Sequence, residues 1–205
     1  MRERASAVRS IGCAVLAAGA GSRFGAPGDK LVAMTAGKPL AQHAIDAASA
    51  SRASCCSLVV GAAVDRVLAA VDSRRLAVYA NDRWATGIGS SIALAAATHA
   101  QDDAFVLMLA DSPLVDVADI DALIAAWLDK QDRPAALRSG AVWGSPAIFP
   151  RSMYSALARL SGDRGAKGRL LNRDRITLVD ASATAAFADV DRRRDLTRLS
   201  AWRRK

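Results

Sequence analysis

This chain of 205 residues is poor in cysteine, histidine and aromatic residues, and it has no long apolar run. Its cysteines are Cys13, Cys55 and Cys56, an odd number in predicted strands, so we expect buried, reduced thiols and a cytoplasmic protein. No Cys or His spacing resembles a zinc motif. Aromatic residues, at 5%, are too few to form a stacking platform for nucleic acid. No run approaches the ~20 apolar residues that cross a membrane.

The chain has a surplus of positive charge, with a formal net charge of +8. Such a balance suits nucleic acid, an anionic membrane surface or polyphosphate ligands. The arginines are scattered, with small clusters at 192–194 and 203–205. Because aromatic residues do not interleave with them, we expect most of these charges to be solvated, with no nucleic acid and no membrane as partner.

The beginning of the chain has some features of a secretory signal, with Arg2, Arg4 and Arg9 ahead of an apolar run that starts at Ile11. Glycines interrupt that run and it leads directly into Gly21-Ser22-Arg23-Phe24-Gly25, so we interpret it as a buried strand followed by a ligand loop. The length suits one domain over residues 1–205.

Strand-like and helix-like segments alternate along the first two thirds of the chain. The sequence predicts strands at 13–17, 57–61, 76–80, 104–110, 134–138, 141–149 and 176–179, and helices at 39–52, 64–71, 90–99, 119–129, 151–160, 165–173 and 191–202. Strands 134–138 and 141–149 are expected to form a local antiparallel excursion. The alternation predicts an α/β fold, Rossmann-like, with three α/β/α layers and a mostly parallel sheet. Ligands of such sheets bind beyond the carboxyl ends of the strands.

A glycine-rich segment follows the first predicted strand. The segment reads Leu16-Ala17-Ala18-Gly19-Ala20-Gly21-Ser22-Arg23-Phe24-Gly25, and Lys30 comes five residues later. Glycine adopts positive φ and leaves the backbone accessible, so consecutive N–H groups of such a loop form a concavity that binds anions. Arg23 and Lys30 add two positive charges. The segment predicts a nucleoside triphosphate site, and an ordinary strand-to-helix turn with solvated charges is the alternative.

The loop differs from the common phosphate motifs. A Walker loop needs Gly-Lys-Ser/Thr where this chain has Gly28-Asp29-Lys30-Leu31, and Phe24 stands where a Rossmann fingerprint has glycine. The segment instead resembles the N-terminal signature of the MobA-like NTP transferases, and most closely their MocA-type cytidylyltransferase branch. Ala18 stands where the guanylyltransferase branch has a second glycine. The resemblance covers nearly the whole chain and implies the nucleotide-diphospho-sugar transferase type of fold.

One departure from the family concerns the spacing before Lys30. Four residues separate Gly25 from Lys30, where relatives have two or three. We therefore expect the lysine to approach the phosphates along a different path.

Two aspartates are predicted to hold Mg²⁺, a hard cation that binds oxygen ligands. Asp111 follows the strand predicted at 104–110 and thus lies at the same edge of the sheet as the glycine-rich segment. Asp116 is better placed to cap the next helix. The resemblance implies that Asp191 is a second metal ligand, but Arg192-Arg193-Arg194 replaces the Thr-Pro-Glu of relatives. An N-cap role for Asp191 is the alternative.

Two other groups of residues are expected at the site because of the resemblance. Nucleotide contacts are implied for Asn81, Gly87, Ser90 and Ser91, although the serines could be ordinary N-caps. Acceptor contacts are implied for Trp143, Gly144, Pro146, Gly165 and Lys167. A glycine turn that opens a helix beside a cation can hold a phosphate, and a solvated loop is the alternative.

The resemblance implies an enzyme that transfers CMP from CTP to the terminal phosphate of molybdopterin, or of its molybdenum-loaded form, with release of pyrophosphate. Arg23, Lys30 and Asp111 would be the catalytic residues, with Mg²⁺ as the cofactor. A recipient molybdoenzyme or its chaperone would be the protein partner. The alternatives are a transferase that uses GTP or another phosphorylated acceptor, an inactive nucleotide-binding accessory protein, and a basic nucleic-acid-binding domain.

Overall fold

The computed structural model describes residues 9–26, 29–163, 165–187, 190 and 192–196. Within these ranges the strands are β1 (Ile11–Ala17), β2 (Met34–Thr35), β3 (Lys38–Pro39), β4 (Cys55–Val60), β5 (Ala77–Ala80), β6 (Ala104–Leu109), β7 (Ala135–Ser139), β8 (Val142–Pro150) and β9 (Thr177–Asp180). The helices are α1 (Asp29–Val32), α2 (Leu40–Ala50), α3 (Val64–Ala70), α4 (Ile88–Thr98), α5 (Val117–Asp129), α6 (Tyr154–Leu157) and α7 (Ala166–Leu170).

Seven strands form one sheet in the order β5-β4-β1-β6-β8-β7-β9. β1 pairs in parallel with β4 and β6, β4 with β5, and β7 with β9. β8 is antiparallel to both β6 and β7. The mostly parallel sheet is as predicted. The two strands expected to form a local excursion are instead part of the main sheet, because β8 pairs directly with the central strand β6.

Helices cover both faces of this sheet, and the side chains of β1 show how. Cys13, Val15 and Ala17 pack in one cluster with α2, α3 and α5, whereas Ala14 and Leu16 pack in another with α4 and α6. Successive side chains of a strand point to opposite faces, so a strand covered on both sides is apolar throughout. All seven residues of β1 are buried, which confirms the three-layer α/β/α arrangement.

The segment between β6 and α5 places Asp111 two residues beyond the end of β6. Asp116 caps α5 as predicted: its carboxylate accepts from the Asp119 N–H at 3.1 Å, and its own N–H donates to the Asp119 carboxylate at 3.1 Å. This reciprocal capping box satisfies the first turn of the helix. Asp111 is therefore not needed for capping and is left for the carboxyl edge of the sheet.

Three expectations differ from the structure or lie outside it. The helix predicted over 151–160 is a 3-10 turn (Arg151–Met153) followed by the single turn of α6. Of the three free cysteines only Cys13 is buried, since Cys55 is exposed at the start of β4 and Cys56 is half-buried. The closing helix over 191–202 lies largely outside the described residues. None of the helices described here is both long and apolar enough to span a bilayer.

Candidate active site

A cleft of about 380 Å³ opens at the carboxyl ends of β1 and β6, on the edge where parallel sheets bind ligands. Its volume is within the range of small-molecule sites. The lining residues come from the end of β1 and the loop after it, from α1, from the start of α4 and the segment before it, from the end of β6 and the segment after it, and from the 161–163 loop. They are Leu16, Ala17, Ala18, Gly19, Ala20, Gly21, Lys30, Leu31, Trp84, Ala85, Gly87, Ile88, Ser91, Leu109, Asp111 and Asp163.

Lys30 and Asp111 form an ion pair inside this cleft. Lys30 Nζ lies 2.5 Å from Asp111 Oδ2, and the two side chains are 10% and 25% exposed. A partly buried pair is screened less by water than a surface pair, so its charges act strongly on a ligand in the cleft. Lys30 of α1 and Asp111, just after β6, are therefore far apart in the sequence but in contact in the cleft.

The short helix α1 presents Lys30 to the cleft. Asp29, the first residue of α1, pairs with Arg66 of α3 at 2.6 Å and accepts from the Ala26 N–H at 3.0 Å. These contacts fix α1 against the layer of helices below it. Asp29, the last of the four residues between Gly25 and Lys30, is thus held in place, and Lys30 contacts Asp111.

The glycine-rich loop wraps the cleft because two glycines allow close approach. Gly21 has φ +62°, a conformation that favours glycine, and a Cβ there would lie 3.1 Å from Lys30 Cβ. Gly61, just after β4, has no space for a side chain: a Cβ there would lie 2.7 Å from the Ala18 carbonyl oxygen and 2.7 Å from Trp84 Cβ. The loop and Trp84 are therefore packed against the end of β4, and both form cleft wall.

A buried hydrogen-bond network shapes the segment between β5 and α4. Asn81 Nδ2 donates to Ser90 Oγ and Ser91 Oγ, each at 2.9 Å, and Asn81 Oδ1 accepts from the Arg83 N–H at 3.0 Å. Asn81, Ser90 and Ser91 are all buried. Both amide hydrogens of Asn81 are used internally, so this side chain holds the segment in place, while Ser91 and Gly87 line the cleft.

We expect Asn81→Ala to lower the free energy of unfolding by about 1–3 kcal/mol, because the two serine hydroxyls lose a buried partner. Urea unfolding measures this change. Asp82→Ala is the matched control: its side chain is adjacent and exposed, and its effect should stay within about 0.5 kcal/mol. A variant at Asn81 with unchanged stability but weaker nucleotide binding would instead make the amide a ligand contact.

Two glycines at the start of α4 bring the 161–163 loop to the cleft. Gly87 has φ +105°, and a Cβ there would lie 2.3 Å from the backbone carbon of Gly162. A Cβ at Gly89 would lie 2.6 Å from the backbone nitrogen of Ser161, and the Gly89 N–H donates to the Gly162 carbonyl at 3.0 Å. This contact places Asp163 in the cleft wall.

A second, apolar pocket of about 160 Å³ adjoins the cleft, and the two share Ile88 and Leu109 as walls. Three predicted acceptor residues, Gly144, Gly165 and Lys167, line this pocket. Lys167 Nζ lies 4.3 Å from the centre of the Trp143 ring and donates to the Trp143 carbonyl oxygen. Lys167 thus places a cation at the rim of a mostly apolar recess.

The structure brings together most, but not all, of the residues predicted from the sequence. Those that lie elsewhere are Ser22 and Arg23, which are exposed beyond the cleft lining; Asn81, Ser90 and Pro146, which are buried beside it; Trp143, which lines neither the cleft nor the apolar pocket but contacts Lys167; and Asp191, which lies outside the described residues. Its neighbour Val190 packs with Phe24 of the glycine-rich segment.

Six cleft residues carry no prediction from the sequence as nucleotide contacts: Leu31, Trp84, Ala85, Ile88, Leu109 and Asp163. Leu31 and Leu109 look like core residues in sequence, and nothing in their pattern separates them from the rest of the core. Asp163 had a signal, because it lies in a Gly-Asp segment that resembles a family motif.

Residues 13–177 match the MobA-like NTP transferase domain. Among curated proteins the chain is 30% identical over 175 residues to the bifunctional protein GlmU of Sorangium cellulosum (strain So ce56), and this match covers 81% of the chain. It covers 36% of GlmU, so the chain spans about a third of that relative's length.

Solved structures show the same architecture. Rv0371c from Mycobacterium tuberculosis H37Rv is 28% identical with a TM-score of 0.79 over 94% of this chain and 98% of that one. The same protein is also known in complex with manganese, at 26% identity and a TM-score of 0.76 over 94% and 98% of the two chains.

Two more distant structures share the fold alone. A CMP:2-keto-3-deoxy-manno-octonic acid synthetase complexed with CTP is 14% identical, with a TM-score of 0.73 over 95% of this chain and 98% of that one. Molybdopterin-guanine dinucleotide biosynthesis protein A from Archaeoglobus fulgidus is 16% identical, with a TM-score of 0.66 over 94% and 98%. Because the family match spans most of the sequence and includes the glycine-rich loop, Lys30 and Asp111, this chain belongs to the MobA-like NTP transferase family of nucleotidyltransferases.

Proposed function

We propose that this chain transfers CMP from CTP to the terminal phosphate of molybdopterin, or of its molybdenum-loaded form, and releases pyrophosphate. The observation that carries the proposal is the meeting of Lys30 with Asp111, at 2.5 Å, in the cleft that residues 16–21 enclose. A cation and a carboxylate at the mouth of a glycine loop suit a metal-bound triphosphate. The three free thiols are consistent with a reducing cytoplasm as the place of the reaction.

The residues of the cleft fit a divalent cation with oxygen ligands. A carboxylate can accept from a lysine and still offer lone pairs to a metal, so the ion pair with Lys30 does not exclude this role for Asp111. Asp111 would hold Mg²⁺, with Asp191 as the second proposed ligand. Bound there, Mg²⁺ would neutralise phosphate charge. The manganese complex of Rv0371c supports a divalent-metal requirement in a relative.

The chain's own contribution to the reaction is positioning and charge. An acceptor phosphate oxygen attacks the α-phosphorus of CTP in line, an O–P bond forms, and the bond from the α-phosphorus to the bridging oxygen of pyrophosphate breaks. Lys30 neutralises charge on the leaving phosphates, and Arg23 adds a second positive charge to the same loop. The backbone of residues 18–21 cradles the triphosphate. The attacking phosphate is already ionised, so no general base is needed.

The recess beside the cleft supports an acceptor larger than a simple sugar phosphate. Its walls are mostly apolar, with Ser145 and Lys167 as the polar side chains among the lining residues, and Lys167 lies next to the Trp143 ring. Such a recess suits a flat heterocycle, with Lys167 near an anionic group. Trp143, Gly144, Pro146 and Gly165 complete the proposed acceptor side. A recipient molybdoenzyme or its chaperone would take the product.

The choice of CTP rests on Ala18. The residue is only 4% exposed, and its methyl group lies where the guanylyltransferase branch has glycine. A methyl group at that place narrows the loop and favours the smaller pyrimidine base. The CTP complex of the distant synthetase shows that the same fold accommodates this nucleotide.

The test is a pyrophosphate-release screen of CTP, GTP, ATP and UTP with Mg²⁺ and molybdopterin. We expect release with CTP, and for Ala18→Gly a rise in GTP use relative to CTP of about tenfold or more, as removal of one methyl group from a base pocket allows. If the protein bound CTP but released no pyrophosphate with any acceptor, it would be an inactive nucleotide-binding accessory protein. If the unchanged protein released pyrophosphate with GTP alone, Ala18 would not determine which base the site accepts.

A further inference from the structure

A second cluster of reactive side chains lies at the opposite edge of the sheet from the cleft. Cys55 is the first residue of β4, His99 follows α4, and Asp102 lies just before β6. All three stand near the amino ends of parallel strands, whereas the cleft is at the carboxyl ends. A six-residue strand spans roughly 20 Å, so the cluster and the cleft are separated by about the length of one strand.

The donor atoms of this cluster converge. His99 Nδ1 lies 2.7 Å from Asp102 Oδ2, Cys55 Sγ lies 3.4 Å from that same oxygen, and Cys55 Sγ lies 3.9 Å from His99 Nδ1. In a tetrahedral zinc site the ligand atoms are about 3.3–3.6 Å apart, given metal–ligand distances of ~2.0–2.3 Å. To accept an ion, His99 Nδ1 and Asp102 Oδ2 would move apart by about 0.6 Å and Cys55 Sγ would approach Nδ1 by about 0.3 Å, while the Sγ–Oδ2 distance already fits.

Two of the three side chains, His99 and Asp102, are oriented by an outer partner. The second nitrogen of His99, Nε2, lies 2.8 Å from Ser57 Oγ, and the second oxygen of Asp102, Oδ1, accepts from Ser10 Oγ at 2.5 Å. The His99 ring also stacks on Phe105, with ring centres 5.3 Å apart and planes 9° apart. Ligating histidines in metal proteins are held in this way by a hydrogen bond to the other ring nitrogen.

The sheet itself leaves room for the cluster. Gly12, the second residue of the otherwise apolar strand β1, lies against it: a Cβ there would be 2.1 Å from His99 Nδ1 and 2.8 Å from Asp102 Oδ2. A glycine inside a strand often marks a close approach of this kind. His99 and Asp102 are buried, whereas Cys55 is exposed and leaves a path to solvent.

Two other roles fit these contacts less well. Ser57, His99 and Asp102 stand in the order of a hydrolytic triad, but Ser57 is 2% exposed and no substrate could reach its hydroxyl. Cys55 is a poor nucleophile, because partial burial and the Asp102 charge raise the pKa of its thiol to about 12. A cation between the sulfur and the carboxylate removes that penalty, since a coordinating thiol is deprotonated.

We propose that Cys55, His99 and Asp102 form a binding site for Zn²⁺ on the amino edge of the sheet. The set of one sulfur, one imidazole nitrogen and one carboxylate oxygen suits Zn²⁺ rather than Mg²⁺ or Ca²⁺, which prefer oxygen alone. Water on the exposed side would complete the tetrahedron. The bound ion would tie β4, the end of α4 and the entry of β6 together.

The binding of Zn²⁺ requires no reactant other than the ion itself. The thiol proton of Cys55 leaves to solvent as sulfur coordinates the ion. When Nδ1 of His99 coordinates the ion, Nε2 carries the ring proton, which Ser57 Oγ can accept because a hydroxyl both donates and accepts. Asp102 is already ionised: burial acts to raise its pKa, but hydrogen bonds from Ser10, His99 and Cys55 outweigh burial and lower it.

Cobalt(II) in place of zinc tests the site, because a thiolate ligand adds a charge-transfer absorption band that oxygen ligands lack. We expect the metal-stripped full chain to bind one Co²⁺ with this band, and Zn²⁺ to displace it. Cys55→Ser should abolish the band. Cys56→Ser is the matched control: it is the next residue, its Sγ donates to the Ala48 carbonyl at 3.3 Å, and the band should persist.

Two more measurements make the outcome decisive. Ser57→Ala should weaken Co²⁺ binding by about 10–100-fold, the usual effect of losing an outer partner. Zn²⁺ should raise the melting temperature of the unchanged protein and of Cys56→Ser, but not of Cys55→Ser. Absence of a thiolate band in the unchanged protein, or a band that survives Cys55→Ser, overturns the proposal and leaves a purely hydrogen-bonded cluster.

Discussion

Asp111→Asn should lower kcat for nucleotidyl transfer by about 10²–10³-fold, the range found when one preorganised electrostatic group is removed from an active site. Asparagine has the shape of aspartate and still offers Lys30 an acceptor oxygen, but it carries no charge to hold a divalent cation. The loss should therefore appear in turnover and not in folding. Pyrophosphate release at saturating CTP and Mg²⁺ measures turnover, and thermal unfolding measures the stability of the fold.

The control for this variant is Asp116→Asn, five residues along the same segment. Asp116 caps α5, and asparagine is about as good an N-cap as aspartate. We expect that variant to keep both its turnover and its stability. If Asp111→Asn retains near-normal turnover at every Mg²⁺ concentration, the carboxylate does not hold the metal and the proposed mechanism fails at its first step.

Lys30→Met should weaken the binding of CTP by roughly 10–150-fold, as expected for losing hydrogen bonds to charged phosphates. Methionine is preferable to alanine here because the lysine stem is buried against Gly21, and a comparable apolar stem preserves that packing. The affinity for CTP can be measured by calorimetry with Mg²⁺ and without acceptor. Unchanged affinity would rule out the proposed contact with the triphosphate.

The chain offers a matched control for this charge. Lys38 pairs with Asp46 on the surface, where both side chains are more than 40% exposed. Lys38→Met removes the same charge from the molecule as Lys30→Met does, at a place outside the cleft lining. We expect it to leave CTP affinity unchanged, which separates a local contact from the effect of net charge on the attraction of an anion.

Much of the fold follows from patterns that are local in the sequence. The run from Ile11 to Ala17 is apolar without interruption, and such runs belong to strands covered on both faces. Glycines after that run, and Asp116 ahead of α5, indicate a turn and a helix cap from spacing alone. Each of these features depends on residues only a few positions apart, so the sequence is sufficient to predict them.

The antiparallel strand β8 is a different case. Its residues predict a strand, but pairing with β6 rather than with β7 alone depends on which edge of the sheet is available. The short helices after it also deviate from prediction, because burial of Tyr154 and Leu157 against the sheet determines their extent. Long-range packing overrides a local helical pattern of that length.

The family resemblance and the glycine-rich loop could be recognised from the sequence, because their residues are neighbours along the chain. The pairing of Lys30 with Asp111 and the commitment of Asn81 to Ser90 and Ser91 were decided by the tertiary structure. So was the convergence of Cys55 with His99 and Asp102, which lie more than 40 positions further along the chain. The physical reason is that a parallel sheet aligns strand ends that are far apart in sequence, and spacing along the chain contains no information about that alignment.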